Sequence, residues 1–442
     1  MNKKIGILFI VMGFVLVACG TNKEVTQEDS VTPAIVSRQE KGGKDVKSGK
    51  WDKENKIVAE HKGIKFFAYL SKDKKECWVY KIKAPKDFTG NEIIFPEKIQ
   101  NVAITKLGGP SNLEDGEAIY DIWGRSFEPY HNFSNGDPTK NGVKKIQLPD
   151  TVQTITAGAF GGLKHLEEIT LPEALKKIDC ALFYDCKSLV TITMGSQLKS
   201  IEKNSYGTFE RCKKLTEFIV SEENPKYCSV EGMIASKDKT ELILVPTARK
   251  KVDVPNGIKK IEELAFLPDS YTEEIHISAS VEKISTTSIC GKRIRNIVIA
   301  DKNIHYAISN HSLYEKKSGM LITYVITKSV AEFPPEVTRI ANDFNTIGDT
   351  DLVRTIVVPV TVKHIGNHFF GYGNWGQDKS KIDVKFLSST PPDAGKDMIW
   401  PSFTEVELYV PEESVPEYKN WLKKMEYLDD EERTLIRIKA IK

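Results

Sequence analysis

The sequence has little of what catalytic and metal-binding domains need. It contains seven cysteines and eight histidines in 442 residues, and no cysteines form a Cys-x-x-Cys pair or a Cys/His cluster with zinc spacing. It also lacks the Gly-x-Ser-x-Gly turn of a hydrolase and a glycine-rich phosphate loop. These absences argue against the common hydrolase, nucleotide and zinc sites, so no cofactor, no metal and no catalytic residue is expected.

The sequence also has no large excess of positive or negative charge. The chain has 63 Lys and Arg against 61 Asp and Glu, a formal net charge of +2. Removal of residues 1–18 takes away two lysines and no acid, which brings the net charge to 0. A neutral exterior argues against a nucleic-acid partner. His364 and His368 are four residues apart but fall in a turn without a nearby third ligand, so a metal site is not expected there.

The amino terminus predicts export. Lys3 and Lys4 precede an apolar run at residues 5–17, which is too short for a comfortable membrane span. The sequence Leu-Val-Ala-Cys that ends at Cys19 resembles a lipobox. We therefore expect residues 1–18 to be a lipoprotein signal peptide and Cys19 to carry the lipid. An ordinary signal peptide with an incidental cysteine is the alternative.

Residues 19–50 predict a flexible polar tether. Residues 20–50 have few large apolar side chains, so the segment cannot bury enough surface to fold. A flexible chain of about 30 residues has a root-mean-square span of roughly 30 Å, enough to clear the lipid headgroups. The expected location is the cell envelope, with the outer membrane or cell surface favoured over the inner membrane. Whether the protein faces the periplasm or the exterior stays open.

The sequence is rich in internal repeats. The phrase LKHLEEITLPEALKKIDCALFYDC, residues 163–186, is preceded and followed by imperfect copies at a step of 23 residues, with one insertion of three residues after Ile201. In register, three apolar positions recur: Ile155, Ile178 and Ile201; Phe160, Phe183 and Phe209; Leu171, Met194 and Val220. A repeat of this length predicts a solenoid.

Each copy also predicts a short strand. Residues 168–171 alternate polar and apolar side chains, which is typical of a half-buried strand, and a proline follows at Pro172. Stacked coils would pair these strands at about 4.8 Å and bury the large apolar groups between neighbours. We expect a mostly β repeat solenoid over residues 143–385, with about ten coils and a length of roughly 50 Å.

The run from strand to proline to Ile-x-x-x-x-Phe-x-x-Cys, clearest at residues 169–192, resembles the BspA-like leucine-rich repeats of Bacteroides-type surface lipoproteins. Residues 224–246 and 303–325 resemble that family's long-insert variant, with an Asn, a Tyr and a short hairpin between ordinary coils. The resemblance implies leucine-rich repeat coils of about 23 residues. Function follows from such a fold only loosely.

Both ends of the predicted solenoid need caps. Residues 51–142 are interpreted as a divergent β-rich cap with the first coil or coils, since the sequence on either side of SKDKK alternates like a β-hairpin. Residues 386–442 resemble the family's closing segment. That resemblance implies a strand ending at Tyr409-Val410-Pro411 and a short helix from Glu412, with Trp421 packed against the last coil.

Two cysteines occupy equivalent positions in neighbouring coils. Cys186 and Cys212 could have α-carbons about 5 Å apart, which a disulfide can bridge. The favoured alternative is that both are free thiols packed in the core as small hydrophobes. Phe183→Ala is expected to cost about 3–5 kcal/mol, because its ring lies between coils, and Lys187→Ala close to nothing.

Two groups of aromatic residues are candidate partner-binding sites. Trp123 and Tyr130 lie in a loop-rich insertion, and Tyr372 and Trp375 lie among glycines. Exposed aromatics suit stacking on sugars or anchoring a protein partner. For the first group the favoured alternative is packing of the cap against the first coil.

Two functional hypotheses follow. The first is a non-enzymatic, monomeric, lipid-anchored binding scaffold, adhesin-like, that meets the membrane through its lipid and binds a protein or glycan partner. The second is a small-ligand receptor or enzyme with a site in the amino-terminal cap around Trp123, Tyr130 and His131.

Overall fold

The chain forms a mostly β solenoid, as the repeats predict. The computed structural model describes residues 50–52, 56–85, 88–108, 142–203, 207–349, 351–367, 369, 381–394, 406–424 and 436–441. Eleven coils in these residues each contribute one strand to a first ladder and one to a second ladder, and two further strands near the carboxyl terminus extend the first ladder. Most strands within a ladder pair in parallel with the equivalent strand of the next coil.

The first ladder runs in three sheets, because two inserts interrupt it. Its strands are β4 (Glu92–Ile94), β7 (Lys145–Gln147), β9 (Glu168–Thr170), β11 (Thr191–Met194) and β13 (Glu217–Val220) in the first sheet; β17 (Lys251–Asp253), β19 (Glu274–Ile277) and β21 (Asn296–Ile299) in the second; and β25 (Val330–Glu332), β27 (Thr355–Val358), β29 (Ile382–Phe386), β31 (Val406–Val410) and β32 (Ile436–Ala440) in the third.

The second ladder contains the strands that follow those of the first ladder in each coil. They are β6 (Val102–Leu107), β8 (Thr154–Ile155), β10 (Lys177–Ile178), β12 (Ser200–Ile201), β16 (Glu241–Leu244), β18 (Lys260–Ile261), β20 (Lys283–Ile284), β24 (Met320–Ile326), β26 (Arg339–Gly348), β28 (His364–Ile365) and β30 (Asp393–Ala394). Many are only two residues long, since the chain must turn at both ends of so small a coil.

The amino-terminal cap is an antiparallel sheet of β1 (Ile57–His61), β2 (Ile64–Leu70) and β3 (Cys77–Lys83). The predicted hairpin is confirmed, because β2 and β3 meet across the SKDKK turn. Strand β3 then pairs in parallel with β6, which a short strand β5 (Lys98–Ile99) flanks, so the cap joins the second ladder directly. This sheet covers the first coil, whose apolar face would otherwise meet water.

Two inserts form the hairpins that the long-insert copies predict. Strands β14 (Tyr227–Val230) and β15 (Met233–Ser236) fold back onto β16, and β22 (Tyr306–Ser309) and β23 (Ser312–Glu315) fold back onto β24.

A buried asparagine fixes the start of each insert. The Asn224 side chain donates to the carbonyls of Gly195 and Leu198 at 3.1 and 3.0 Å. Its Oδ1 accepts the backbone N–H groups of Lys226 and Tyr227 at 2.9 and 2.8 Å. Asn303 makes the same four bonds one insert later.

The predicted register of the repeat is confirmed. Ile178 pairs with Ile201, Met194 with Val220, and Ile261 with Ile284. The rings of Phe160, Phe183 and Phe209 stack with centroids 5.9 and 6.0 Å apart. Because identical positions meet across coils, large apolar side chains fill the interior in rows.

The two equivalent cysteines, Cys186 and Cys212, are buried thiols that are not joined by a disulfide, which was the favoured alternative. Cys186 Sγ donates to the carbonyl of Phe160 at 3.2 Å, and Cys212 Sγ to that of Phe183 at 3.1 Å. Burial raises the pKa of Cys212, and it raises the pKa of Cys77 and of Cys290 to about 12. These thiols are therefore poor nucleophiles.

The carboxyl-terminal cap departs from the prediction at its helix. Residues Glu412–Ser414 form a 3-10 turn, and helix α1 spans Val415–Lys423, so the helix begins three residues later than predicted. The packing of Trp421 is confirmed, because its ring lies 5.8 Å from Phe386 of the last coil. Strand β32 was not predicted; it pairs with β31 and extends the first ladder beyond the helix.

Candidate functional site

The site residues proposed from the sequence lie outside the described residues. This holds for the lipid-attachment residue and for both aromatic groups, namely Cys19, Trp123, Tyr130, His131, Tyr372 and Trp375. His368, the second histidine of the pair that was considered for a metal, also lies there, while His364 contacts Asp393 at 3.2 Å. We therefore built a candidate site from the surface of the described coils.

The first sheet of the first ladder presents one face to the core and one outward. In β13, Phe218 and Val220 point inward while Glu217 and Ile219 point outward, as the period of two in a strand requires. We call the outward positions of this sheet the outer sheet face: Lys145, Gln147, Glu168, Thr170, Thr191, Thr193, Glu217 and Ile219.

Ion pairs join one coil to the next at the edge of this face. Lys144 contacts Glu167 at 2.8 Å, and Lys145 contacts Glu168 at 3.2 Å. The hydrogen bond from Lys144 lowers the pKa of Glu167. Each pair is exposed and adds little stability. Together they make a surface of neutralised, alternating charge.

A shallow concavity of about 640 Å³ opens beside these pairs. It is lined by Asn91, Glu92, Lys144, Lys145, Glu167, Glu168, Ser188, Val190, Thr191 and Lys214. Val190 is 38% exposed, and Ile219 on the next strand of the face is 42% exposed. Ile219 thus lies on the sheet and Val190 lies at the start of one of its strands, both near charged groups, as in an interface core with a polar rim.

The second sheet carries a histidine between two carboxylates. His276 Nδ1 lies 2.9 Å from Asp253, and its Nε2 lies 2.6 Å from Glu274. Hydrogen bonds from Asn296 and then His276 lower the pKa of Glu274. Because the carboxylates bind opposite edges of the imidazole, they do not converge on a common point. Across the described ranges, no three His, Cys, Asp or Glu side chains are grouped to hold a metal ion.

The third sheet holds a carboxylate that three side chains contact. Glu407 is 3% exposed and accepts hydrogen bonds from Lys381 at 2.8 Å, Lys439 at 2.6 Å and Tyr409 at 2.7 Å. These contacts, led by that of Lys381, lower the pKa of Glu407 to about 2. The group stays ionised at neutral pH and acts as a structural link between β29, β31 and β32.

The chemistry of the first ladder is that of a binding surface. The carboxylates of Glu167, Glu274 and Glu407 are held ionised by their partners, whereas a general acid needs a raised pKa. The ladder offers a long, rigid, outward surface of paired charges with a few apolar side chains. Such repetition suits contact with a large partner.

Sequence reasoning missed the outer sheet face, although signals for it were present. Ile219 is an apolar residue at the outward phase of an alternating strand. Lys145 and Glu168 have opposite charges 23 residues apart, which is one repeat. Stacking places residues at that spacing side by side, so the ion pair follows from the register.

The architecture defines a class, the stacked β-coil solenoid with a cap at each end. Comparison with known families then identifies its repeat. The model of the BspA type leucine rich repeat region matches six copies over residues 139–230 and 246–318. These residues are similar to BspA-type leucine-rich repeats. No curated protein matches the chain.

Several solved structures are similar to this chain. A leucine rich cell surface protein from Faecalibacterium prausnitzii is 16% identical, with 70% of this chain and 90% of that one covered and a TM-score of 0.31. The pneumococcal vaccine antigen PcpA is 16% identical, with 87% of this chain and 99% of that one covered and a TM-score of 0.36. A leucine-rich repeat protein from Bacteroides ovatus is 13% identical, with 85% of this chain and 98% of that one covered and a TM-score of 0.21.

Of the helical segments in the described ranges, none combines the length and the apolar character needed to cross a bilayer.

Proposed function

We propose that this protein is a non-enzymatic binding scaffold of the cell envelope, adhesin-like, anchored by lipid at Cys19, with the outer sheet face as the docking surface for a protein partner. The observation that carries the proposal is a pair of exposed apolar side chains, Val190 immediately before β11 and Ile219 within β13, near a row of satisfied ion pairs. Protein interfaces combine apolar anchors with polar surroundings that exclude water.

The nature of the surface favours a protein over a nucleic acid. Lysines and glutamates alternate along the edge of the outer sheet face, so it has no continuous positive stripe that would attract phosphates. Paired charges instead set the register of a complementary protein surface. The backbone under them is a sheet fixed by parallel pairing on both sides, so little ordering would be required on binding.

The amino-terminal sequence supports the proposed location. Cys19 follows the signal-like residues 1–18, and a polar segment of about 30 residues separates it from the first described residues. Such a tether would hold the solenoid clear of the membrane, with the outer membrane or cell surface as the favoured site.

The lipid anchor can be tested separately from binding. Cys19→Ser should move the protein from the detergent phase to the aqueous phase in Triton X-114 partitioning and abolish labelling by radioactive palmitate. Cys77→Ser, at a buried thiol, is the matched control and should leave both unchanged. Retention of label in the Cys19→Ser protein would contradict the proposed attachment.

The binding function can be tested with a partner screen. The full chain, purified in detergent and immobilised through its amino terminus, is exposed to extracellular-matrix proteins, bacterial surface proteins and a glycan array. We expect saturable binding to a protein. Binding to glycans alone would replace the protein partner with a carbohydrate one. Turnover of a substrate that a point substitution abolishes would overturn the non-enzymatic proposal.

A further inference from the structure

A second concavity lies on the turns that follow the buried phenylalanine or isoleucine of several coils. We call it the charged groove. It encloses about 380 Å³ and is lined by Lys187, Glu210, Arg211, Lys213, Asp269, Tyr271 and Arg293. These residues come from turns more than a hundred positions apart in the sequence, which stacking brings together.

Two arginines are placed over tyrosine rings at this groove. The Arg293 guanidinium lies 4.2 Å from the centre of the Tyr271 ring, and that of Arg211 lies 5.3 Å from the Tyr184 ring. Contact of a cation with a ring face orients the guanidinium and leaves its N–H groups available. Among the described residues, Arg293 and Lys213 have no hydrogen bond or ion pair to a side-chain acceptor.

The acidic side of the groove is partly buried. Burial, reinforced by Asp269, raises the pKa of Glu210 to about 7, with Arg211 opposing the rise and Asp185 adding to it. Near neutral pH this carboxyl group is partly protonated and can donate a hydrogen bond. Asp185 is 5% exposed, and within the described part of the chain its Oδ1 accepts no hydrogen bond, with Lys187 Nζ 3.6 Å away.

The lining determines which ligand fits. Four of the seven side chains are cations and two are acids, so the groove favours an anion. It has no aliphatic side chain to act as the apolar anchor of a protein interface. Its volume falls in the range of small-molecule sites, about 300–1,000 Å³. Donors and acceptors are mixed, which suits a ligand that carries hydroxyl groups as well as a carboxylate.

We propose that the charged groove binds an acidic saccharide of the uronic-acid class, with Arg293 and Lys213 contacting the carboxylate and Glu210 and Asp269 contacting ring hydroxyls. The guanidinium of Arg293 can hold the carboxylate by two parallel hydrogen bonds. The lining of this groove shares no residue with the outer sheet face, and the inference does not rest on the protein partner proposed there.

Isothermal titration calorimetry of the full chain tests this inference with digalacturonate and its dimethyl ester, in which two methyl groups replace the two negative charges. We expect the acid to bind at least about tenfold more tightly than the ester, because a hydrogen bond to a charged group contributes roughly 1.5–3 kcal/mol. The affinity should fall as salt is raised. Equal affinities for acid and ester, or no heat from the acid at about 10 mM ligand, would overturn the inference.

Two variants and a control locate the site. Arg293→Gln and Lys213→Gln should each weaken digalacturonate binding about tenfold, while Lys317→Gln, an equal change of charge at an exposed turn in the second insert, should leave it within about twofold. Thermal melting checks that all three remain folded. Similar losses in Arg293→Gln and Lys317→Gln would contradict the site, and equally tight binding of an Asp-Asp dipeptide would contradict the choice of a saccharide.

Discussion

Phe183 packs against both neighbouring coils and stabilises its own coil between them. It is fully buried, and its ring stacks on Phe160 and on Phe209. Truncation removes contacts with both neighbours and leaves a cavity that a rigid stack cannot close. Phe183→Ala should lower the free energy of unfolding by about 3–5 kcal/mol in urea denaturation.

The control for that variant has to avoid Lys187. From the sequence Lys187→Ala was expected to be close to neutral, but its Nζ lies 3.6 Å from the buried Asp185. Its removal would leave a buried carboxylate without a compensating charge. Lys176 is exposed, so Lys176→Ala should change stability by less than about 0.5 kcal/mol. Equal losses in Phe183→Ala and Lys176→Ala would contradict the register.

Glu407 gives the stability a specific pH dependence. Its pKa falls from an ordinary value of 4.5 to about 2 in the folded protein. The folded state therefore binds this proton less readily than the unfolded chain does. Its contribution to stability is fully present above about pH 4.5 and is lost as the pH falls towards 2.

Urea denaturation of Glu407→Gln at several pH values measures this contribution. The variant should be less stable than the wild type at pH 7, and the difference should shrink as the pH falls from about 4.5 towards 2. Glu412→Gln, at an exposed position in the same cap, is the matched control and should track the wild type throughout. A difference that stayed constant with pH would argue against the ion-pair network.

Asn224 anchors a whole element, the first hairpin insert. Its amide makes four hydrogen bonds, two to carbonyls of the preceding coil and two to backbone N–H groups of the insert. Asn224→Ala should cost about 2–4 kcal/mol, because buried backbone groups lose their partners. Asn224→Asp should also destabilise, since an ionised carboxylate cannot donate to the two carbonyls.

Asn296→Ala provides the comparison for that element. Asn296 lies on the surface and donates to Glu274 at 3.1 Å, so its replacement should cost less than about 1 kcal/mol. Thermal melting of the three variants would rank their stabilities. Equal melting temperatures for Asn224→Ala and Asn296→Ala would show that the insert does not depend on its buried amide.

Elements built on the repeat could be predicted, and those outside it were predicted less well. The strand at Glu168–Thr170 and the inserts followed from alternation and from the recurring Asn and Tyr. The helix start was placed at Glu412, although a 3-10 turn comes first. Strand β32 was missed because it forms by pairing with the open edge of β31, a contact distant in sequence.

At the scale of the whole molecule, the solenoid was predictable because one register repeats along it. Ile178 covering Ile201 and Phe183 covering Phe209 follow once the copies are aligned. Surface sites could not be predicted in this way, because each consists of residues that become neighbours only when the coils stack. The charged groove joins Lys187 to Arg293 across several coils, and no single copy of the repeat carries its pattern.

The central claim is that the outer sheet face binds the partner, and the dissociation constants of matched variants test it most directly. Val190→Arg/Ile219→Arg changes the exposed residue before β11 and an exposed residue of β13, and Leu352→Arg/Val360→Arg changes two exposed residues in a later part of the solenoid. For the partner found in the screen, the first variant should raise Kd at least about tenfold and the second by less than about twofold. An unchanged Kd for the first variant, or an equal rise in Kd for both variants, would contradict the claim.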